Sequence, residues 1–109
     1  MSTLLALAQE KKRQARELLR IETRAKLREA LAKLPASQPL IVFGSLTKPY
    51  QFYPGSDVDV ALFHEPSGIS LYGFQSRLEE LMHRRVDVVL LPESRIREKI
   101  EREGERWTI

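Results

Sequence analysis

The spacing of apolar residues divides the chain into one long helical segment followed by short alternating strands and helices. Residues 3–34 contain neither Gly nor Pro and are rich in Ala, Leu, Glu, Lys and Arg, which favours helix. Ser2 or Thr3 can cap its start, and Pro35 follows its end. The apolar stripe is clearest at the end of the segment, at Leu27, Ala30, Leu31 and Leu34.

The length of this segment leaves two alternatives open. A continuous helix over residues 3–34 would be about 50 Å long at 1.5 Å per residue, while a globule of this size is roughly 34 Å across. The apolar stripe is weakest at residues 10–14. We therefore expect either a break near 10–14 or a protruding first part, and a protruding arm would need a partner.

The rest of the chain predicts a small sheet. Apolar segments at 40–43, 58–63 and 85–91 predict three strands, the first of them covered on both faces. Ser70 can cap a helix whose apolar residues recur every 3.6 positions. They are Leu71, Phe74, Leu78, Leu81 and Met82.

The C-terminal part predicts one further helix and one strand. A polar helix after residues 92–94 is expected to end at Gly104, and residues 107–109 predict a short last strand. The order predicts an α+β fold, a small mixed β-sheet with helices packed on it. We expect a single domain, with residues 1–34 as a helical segment available for partner binding and 35–109 as the core.

Charge and composition narrow the class of protein. Residues 1–34 carry nine Lys/Arg against four Glu, whereas residues 35–92 carry four against six Asp/Glu. A basic helix can contact RNA or an acidic protein, or can simply be solvated. The absence of Cys excludes disulfides and thiolate metal sites and agrees with a cytoplasmic protein. The N-terminus predicts neither a signal peptide nor a membrane span.

Three Asp residues and one Gly-Ser pair carry the candidate chemistry. Asp57 and Asp59 open the second strand, and their spacing puts both side chains on one face. Asp87 interrupts the third apolar strand, where an acid is costly unless it is paired or binds a metal. Like charges this close call for a shared proton, a cationic side chain such as Lys48, or a bound metal, and a divalent ion accepts oxygen ligands from both acids.

Gly44 and Ser45 end the first strand. Glycine lets a backbone approach a phosphate closely, and serine adds a hydroxyl donor. Either feature alone is weak, because a Gly-Ser pair is usually a plain turn and an Asp-x-Asp pair is usually a strand end. Together they favour a site for a nucleotide and Mg²⁺.

With these residues assembled, the chain resembles the minimal nucleotidyltransferase family of the DNA polymerase beta-like superfamily. The matching pieces are Phe43-Gly44-Ser45, Ser56-Asp57-Val58-Asp59-Val60, Val86-Asp87-Val88-Val89 and the closing helix at 97–105. The loop from Leu46 to Ser56 departs from the family pattern, because Thr47-Lys48-Pro49 replaces the usual Ala-Arg-Gly. Lys48 is therefore the candidate cation for the triphosphate.

The resemblance implies a function and a role for each of these residues. Gly44, Ser45 and Lys48 would bind the nucleotide, Asp57 and Asp59 would ligate Mg²⁺, and Asp87 would complete a second metal site and help to deprotonate the acceptor. It implies an antitoxin that transfers AMP from ATP to a hydroxyl, expected to be a tyrosine, of a HEPN toxin, in a hetero-oligomer with it.

Two other functions remain open. A non-catalytic antitoxin would silence its partner by stoichiometric binding. Transfer to a small molecule or an RNA end ranks lower, because such relatives usually carry extra acceptor domains. We expect no membrane partner and no nucleic acid as the direct substrate.

Overall fold

The computed structural model describes residues 3–34 and 38–108. Three helices and four strands, with two short 3-10 turns, make up this part of the chain. In order they are α1 (Leu4–Ala32), β1 (Leu40–Phe43), the 3-10 turn Gly44–Thr47, β2 (Val58–Leu62), α2 (Leu71–Met82), β3 (Val86–Leu90), the 3-10 turn Leu91–Glu93, α3 (Arg97–Glu103) and β4 (Glu105–Trp107).

The four strands form one mixed sheet in the order β3-β2-β1-β4. β1 is antiparallel to both β2 and β4. β2 and β3 are parallel, and α2 makes the crossover between them. The predicted α+β fold is therefore confirmed, with the Gly44–Thr47 turn and the start of β2 at the same end of the sheet.

Helix α1 is continuous, so the alternative of a break near residues 10–14 is wrong. The Thr3 hydroxyl caps it by accepting from the Ala6 N–H at 3.0 Å, while Ser2 and Pro35 lie outside the described residues. Every residue from 3 to 16 is exposed, and the described residues extend over 57 × 29 × 20 Å. The first part of α1, residues 4–16, which we call the arm, extends beyond the domain, although Arg13 near its end still stacks on the Tyr50 ring.

The core lies on both faces of the sheet. The late residues of α1 and the apolar face of α2 cover one face, where Leu27, Phe74 and Leu78 are completely or almost completely buried. A smaller cluster under α3 covers the other face and consists of Ile41, Ala61, Leu91 and Ile100. Strand β1 is thus covered on both faces, as its continuous apolar sequence predicts. No helix in the described ranges is both long enough and apolar enough to cross a membrane.

The ends of the elements agree with the predictions to within a few residues. The Ser70 hydroxyl caps α2 by accepting from the Gly73 N–H at 2.9 Å, and α3 ends at Gly104. The last strand begins at Glu105, two residues before the predicted start, because Glu105 pairs with Val42 and Trp107 with Leu40. Ile109, which the prediction also included, lies outside the described residues.

Candidate active site

The sheet register brings two of the predicted acids together. Asp59 on β2 is the direct partner of Asp87 on the parallel strand β3, so both side chains belong to the same face of the sheet. Asp57 lies two residues before Asp59, just ahead of β2, and strand alternation places it on that face as well. Asp59 and Asp87 are therefore direct neighbours at one end of two adjacent strands, and Asp57 lies just ahead of β2 at the same end.

The electrostatics of this cluster show an excess of negative charge. Burial, followed by the charges of Asp87 and Asp57, raises the pKa of Asp59 from 3.8 to about 6. Both causes disfavour the ionised carboxylate. A cation placed beside Asp59 would relieve both.

The side chain of Asp57 already has a protein partner. The Arg85 Nε lies 3.9 Å from Asp57 Oδ2, and the Arg85 side chain is 75% exposed, so the ion pair is weak. Within residues 3–34 and 38–108, no three His, Cys, Asp or Glu side chains are grouped as a complete metal cage. Asp59 and Asp87 are the adjacent pair.

Gly44 lies directly against this cluster. Its φ of +76° is in the left-handed region that favours glycine, and a Cβ built on it would overlap Asp59 Oδ2. The close approach of backbone to carboxylate therefore requires glycine at this position. The structure thus places Gly44 of the Gly-Ser pair directly against Asp59.

A cavity of about 200 Å³ opens beside Gly44 and Asp59. Its walls come from the end of β1, the Gly44 turn and one face of α3. They are Phe43, Gly44, Lys48, Asp59, Ile96, Lys99, Ile100 and Glu103. The predicted cation Lys48 lies in this wall, whereas Ser45, Asp57 and Asp87 do not line the cavity.

Sequence reasoning missed Lys99, the second cation of the cavity wall. The polar helix 97–103 offers several Lys and Arg residues, and only packing against the sheet shows which of them faces the Gly44 turn. The signal that could have found it is the spacing of Ile96, Lys99, Ile100 and Glu103, which places all four on one helix face.

Helix α1 fixes the position of the Gly44 turn. Leu46 in the turn is fully buried, and its carbonyl accepts from Arg20 at 3.1 Å and from Arg24 at 3.3 Å. Arg24 also makes two bonds to the Glu105 carboxylate, at 3.0 and 2.8 Å. The Arg24 guanidinium therefore joins α1 to the Gly44 turn and to β4 through its hydrogen bonds.

The loop between the Gly44 turn and Asp57 is held at several points. Tyr50 has a φ of 66°, and its N–H donates to Glu17 at 3.0 Å. Hydrogen bonds from the Arg20 side chain and from the Tyr50 backbone lower the pKa of Glu17 to about 2. Phe52 is completely buried, and Arg84 donates to the Ser56 carbonyl at 2.8 Å. The loop is consequently packed on the domain rather than open.

The chain matches a family model over most of its length. The model, described as a nucleotidyltransferase domain, covers residues 24–108 and so includes every candidate site residue. No curated protein sequence matches the chain significantly.

Two solved structures that align with this chain are toxin–antitoxin complexes. A chain from the crystal structure of a toxin–antitoxin with AMP-PNP aligns with a TM-score of 0.57 and 22% identity, over 78% of this chain and 73% of that one. A chain from the toxin–antitoxin MntA-HepT aligns with a TM-score of 0.48 and 20% identity, over 84% and 72% of the two chains. At such low identity, the first of these similarities shows a shared fold.

Proposed function

Because the chain belongs to the nucleotidyltransferase domain family, we propose that it transfers AMP from ATP to a hydroxyl group, expected to be a tyrosine, of a partner HEPN toxin, and so neutralises it. The observation that carries the proposal is the contact of Gly44 with Asp59, beside Asp87 on the neighbouring strand. Nucleotidyl transfer needs a close approach to phosphate and carboxylates beside it. A cytoplasmic location and a hetero-oligomer with the toxin belong to the same proposal.

The partner and the nucleotide are proposed by analogy with the fold. The similar structure with a TM-score of 0.57 is a toxin–antitoxin containing AMP-PNP, an ATP analogue. An ATP substrate and a toxin partner for this chain follow from that likeness, which makes them the parts of the proposal that most need experiment.

The acid cluster fits Mg²⁺. Carboxylate oxygens are the ligands that Mg²⁺ prefers, and burial, followed by the charges of Asp87 and Asp57, raises the pKa of Asp59. Asp59 and Asp87 would hold the ion, with Asp57 as the third ligand that the sequence predicts. When bound, Mg²⁺ neutralises charge on the phosphates and on the attacking and leaving oxygens.

The cavity beside the acids suits the nucleotide. Its volume of about 200 Å³ combines apolar walls from Phe43, Ile96 and Ile100 with the cations Lys48 and Lys99. We assign the two lysines to the triphosphate, since ammonium groups bind phosphate as compact point charges. Gly44 and Ser45 would contribute backbone and hydroxyl donors to the same phosphates.

The proposed reaction is a substitution at the α-phosphorus of ATP. The acceptor oxygen forms a new bond to this phosphorus, the bond from the α-phosphorus to the α,β-bridging oxygen breaks, and pyrophosphate leaves. The proton of the acceptor hydroxyl moves to the Asp87 carboxylate. Lys48 and Lys99 hold the leaving phosphates, and the rigid Gly44 turn keeps the α-phosphate in line with the acceptor.

The test is transfer of label from α-³²P ATP to the protein encoded beside this chain, in Mg²⁺. We expect the wild type to label that protein, and Asp59→Asn to lower the rate at least about 100-fold, as loss of a central charge at a reacting site does. Glu79→Gln serves as a matched acid control, because Glu79 accepts from the Val86 N–H on β3 but does not line the cavity.

Two outcomes would contradict catalysis by this acid cluster. The first is a partner that carries no label but is silent while this chain is bound and regains activity when it is removed, which is occlusion by binding. The second is equal labelling by the wild type and Asp59→Asn, which would place the reaction elsewhere.

A further inference from the structure

The arm and the first exposed turns beyond it carry a repeating line of side chains that the proposed function does not use. The line, which we call the seam, consists of Leu4, Leu7, Lys11, Gln14, Leu18 and Ile21. All six are exposed, and the four apolar ones expose 87, 51, 58 and 54% of their surface in that order. Large apolar side chains left in water at regular spacing mark an interaction surface.

The seam has the spacing of a coiled coil. Its members alternate at three and four residues, the a and d positions of a heptad repeat. With about 100° per residue, the seam lies roughly opposite the buried face of α1, which includes Thr23, Leu27 and Leu31. A second helix laid on the seam would therefore lie on the far side of α1 from the domain and would not collide with it.

The seam is complementary to itself when two copies run antiparallel. Leu4 of one copy then faces Ile21 of the other, and Leu7 faces Leu18. In the middle, Lys11 faces Gln14, whose side-chain carbonyl can accept from the ammonium group. Apolar residues thus meet apolar residues and polar residues meet polar residues, which is the pattern of an isologous interface with two-fold symmetry.

The residues that flank the seam agree with this arrangement. On one side lie Ala8 and Ala15, whose small side chains let two helices approach closely. On the other lie Glu10 and Glu17, each already paired with an arginine of its own helix, Arg13 at 3.6 Å and Arg20 at 2.7 Å. A parallel pair would instead set Lys11 against Lys11, with no acid between them.

We propose that two copies of this chain associate through the seam as an antiparallel helix pair, with the two domains at opposite ends. The proposal is independent of the proposed catalytic function, since the seam shares no residue with the cavity. It also lies outside the family match, which begins at residue 24. The seam is therefore a feature of this chain in addition to the nucleotidyltransferase domain.

Disulfide mapping tests the pairing directly, because the chain has no cysteine of its own. Under mild oxidation, the double variant Leu7→Cys/Leu18→Cys should form a covalent dimer, and each single variant should stay uncrosslinked. The control is Gln9→Cys/Arg16→Cys, two positions that are symmetric about the same centre but lie on the opposite side of the helix. A covalent dimer from Leu7→Cys alone would show parallel packing and overturn the proposal.

Sedimentation equilibrium tests the association itself. The wild type should sediment as two 12.6 kDa chains, and Leu7→Glu/Leu18→Glu should sediment as one. Gln9→Ala/Arg16→Ala should remain dimeric, and circular dichroism should show unchanged helix in both variants. The proposal would be refuted by a wild type that stays monomeric at a concentration 100-fold above that of the activity assay. Protection of the seam by a partner protein would not change that conclusion.

Discussion

At the scale of single residues, Asp59 is the group around which the site is organised. It lies against Gly44, where a Cβ would overlap its carboxylate, and it neighbours Asp87 across the sheet. Its raised pKa means that the folded protein holds this carboxylate at a cost to its own stability. A carboxylate kept at such a cost is typical of a functional site rather than of a structural one.

The raised pKa of Asp59 predicts how the stability of the protein changes with pH. The pKa of Asp59 rises from its ordinary value of 3.8 to about 6 in the folded protein, so the folded state binds more protons between these values. Stability should therefore fall as pH rises through this window. Asp59→Asn should remove this fall and stabilise the metal-free protein at pH 7 by about 1 kcal/mol, after allowing for solvent screening of a half-buried group.

Urea unfolding of both proteins between pH 5 and pH 7 measures this effect. Glu17 and Glu105 do not contribute to the change in stability over this pH range. Their pKa values are lowered, so the stability that they provide is lost only as pH falls below about 4.5. Parallel pH profiles for wild type and Asp59→Asn would contradict the account of the acid cluster.

The residue scale also shows the limits of sequence reasoning. Strand alternation and the cost of a buried acid were enough to place Asp57, Asp59 and Asp87 at one end of the sheet. The role of Lys99 in the cavity wall depends on how α3 packs, and the pairing of Asp57 with Arg85 depends on a rotamer. The spacing of residues 96–103 puts Lys99 on one helix face with Ile96 and Ile100, but it does not show that this face meets the Gly44 turn.

At the scale of elements, the position of the Gly44 turn depends on α1. Arg24 joins three elements, because it donates to the Leu46 carbonyl and to Glu105 on β4 while packing over Trp107. Such contacts between distant parts of the chain cannot be read from local patterns. The elements themselves could be predicted, because α1, α2 and β1–β3 have clear periodicity, whereas the three-residue strand β4 depends on its pairing with β1.

The prediction at this scale concerns Arg24. Arg24→Ala should destabilise the protein by about 1–3 kcal/mol, because it removes charged hydrogen bonds to Glu105. It should also weaken nucleotide binding, since the turn loses one of its anchors. Arg28→Ala is the control, because the Arg28 guanidinium also lies over Trp107, at 4.4 Å, but Arg28 makes no described hydrogen bond to the turn. Equal effects of the two changes on unfolding and nucleotide affinity would contradict this role.

At the scale of the whole molecule, the chain is a nucleotidyltransferase domain with a protruding helix. The sequence raised this possibility through a helix too long for the globule, but could not decide between protrusion and a break. Both alternatives satisfy the composition of residues 3–34. The continuous backbone of α1 decides in favour of protrusion, and residues 3–16 are exposed.

The arm should therefore be dispensable for folding. Removing residues 1–16 from the monomeric variant Leu7→Glu/Leu18→Glu necessarily leaves only the second substitution. The free energy of unfolding of this truncated chain should be about 0.5–1 kcal/mol lower than that of the full-length variant, because the stacking of Arg13 on Tyr50 is lost. Thermal unfolding of the two proteins makes the comparison. A loss several times larger would show that the arm belongs to the folding unit.

The most direct test of the central claim is calorimetric titration of ATP into the purified chain with and without Mg²⁺. We predict saturable binding that is at least about tenfold tighter with Mg²⁺, a difference of about 1.4 kcal/mol, and an Asp59→Asn variant that loses this difference. ATP affinity that does not depend on Mg²⁺, or a Mg²⁺ effect that survives intact in Asp59→Asn, would contradict the assignment of this acid cluster as the nucleotide and metal site.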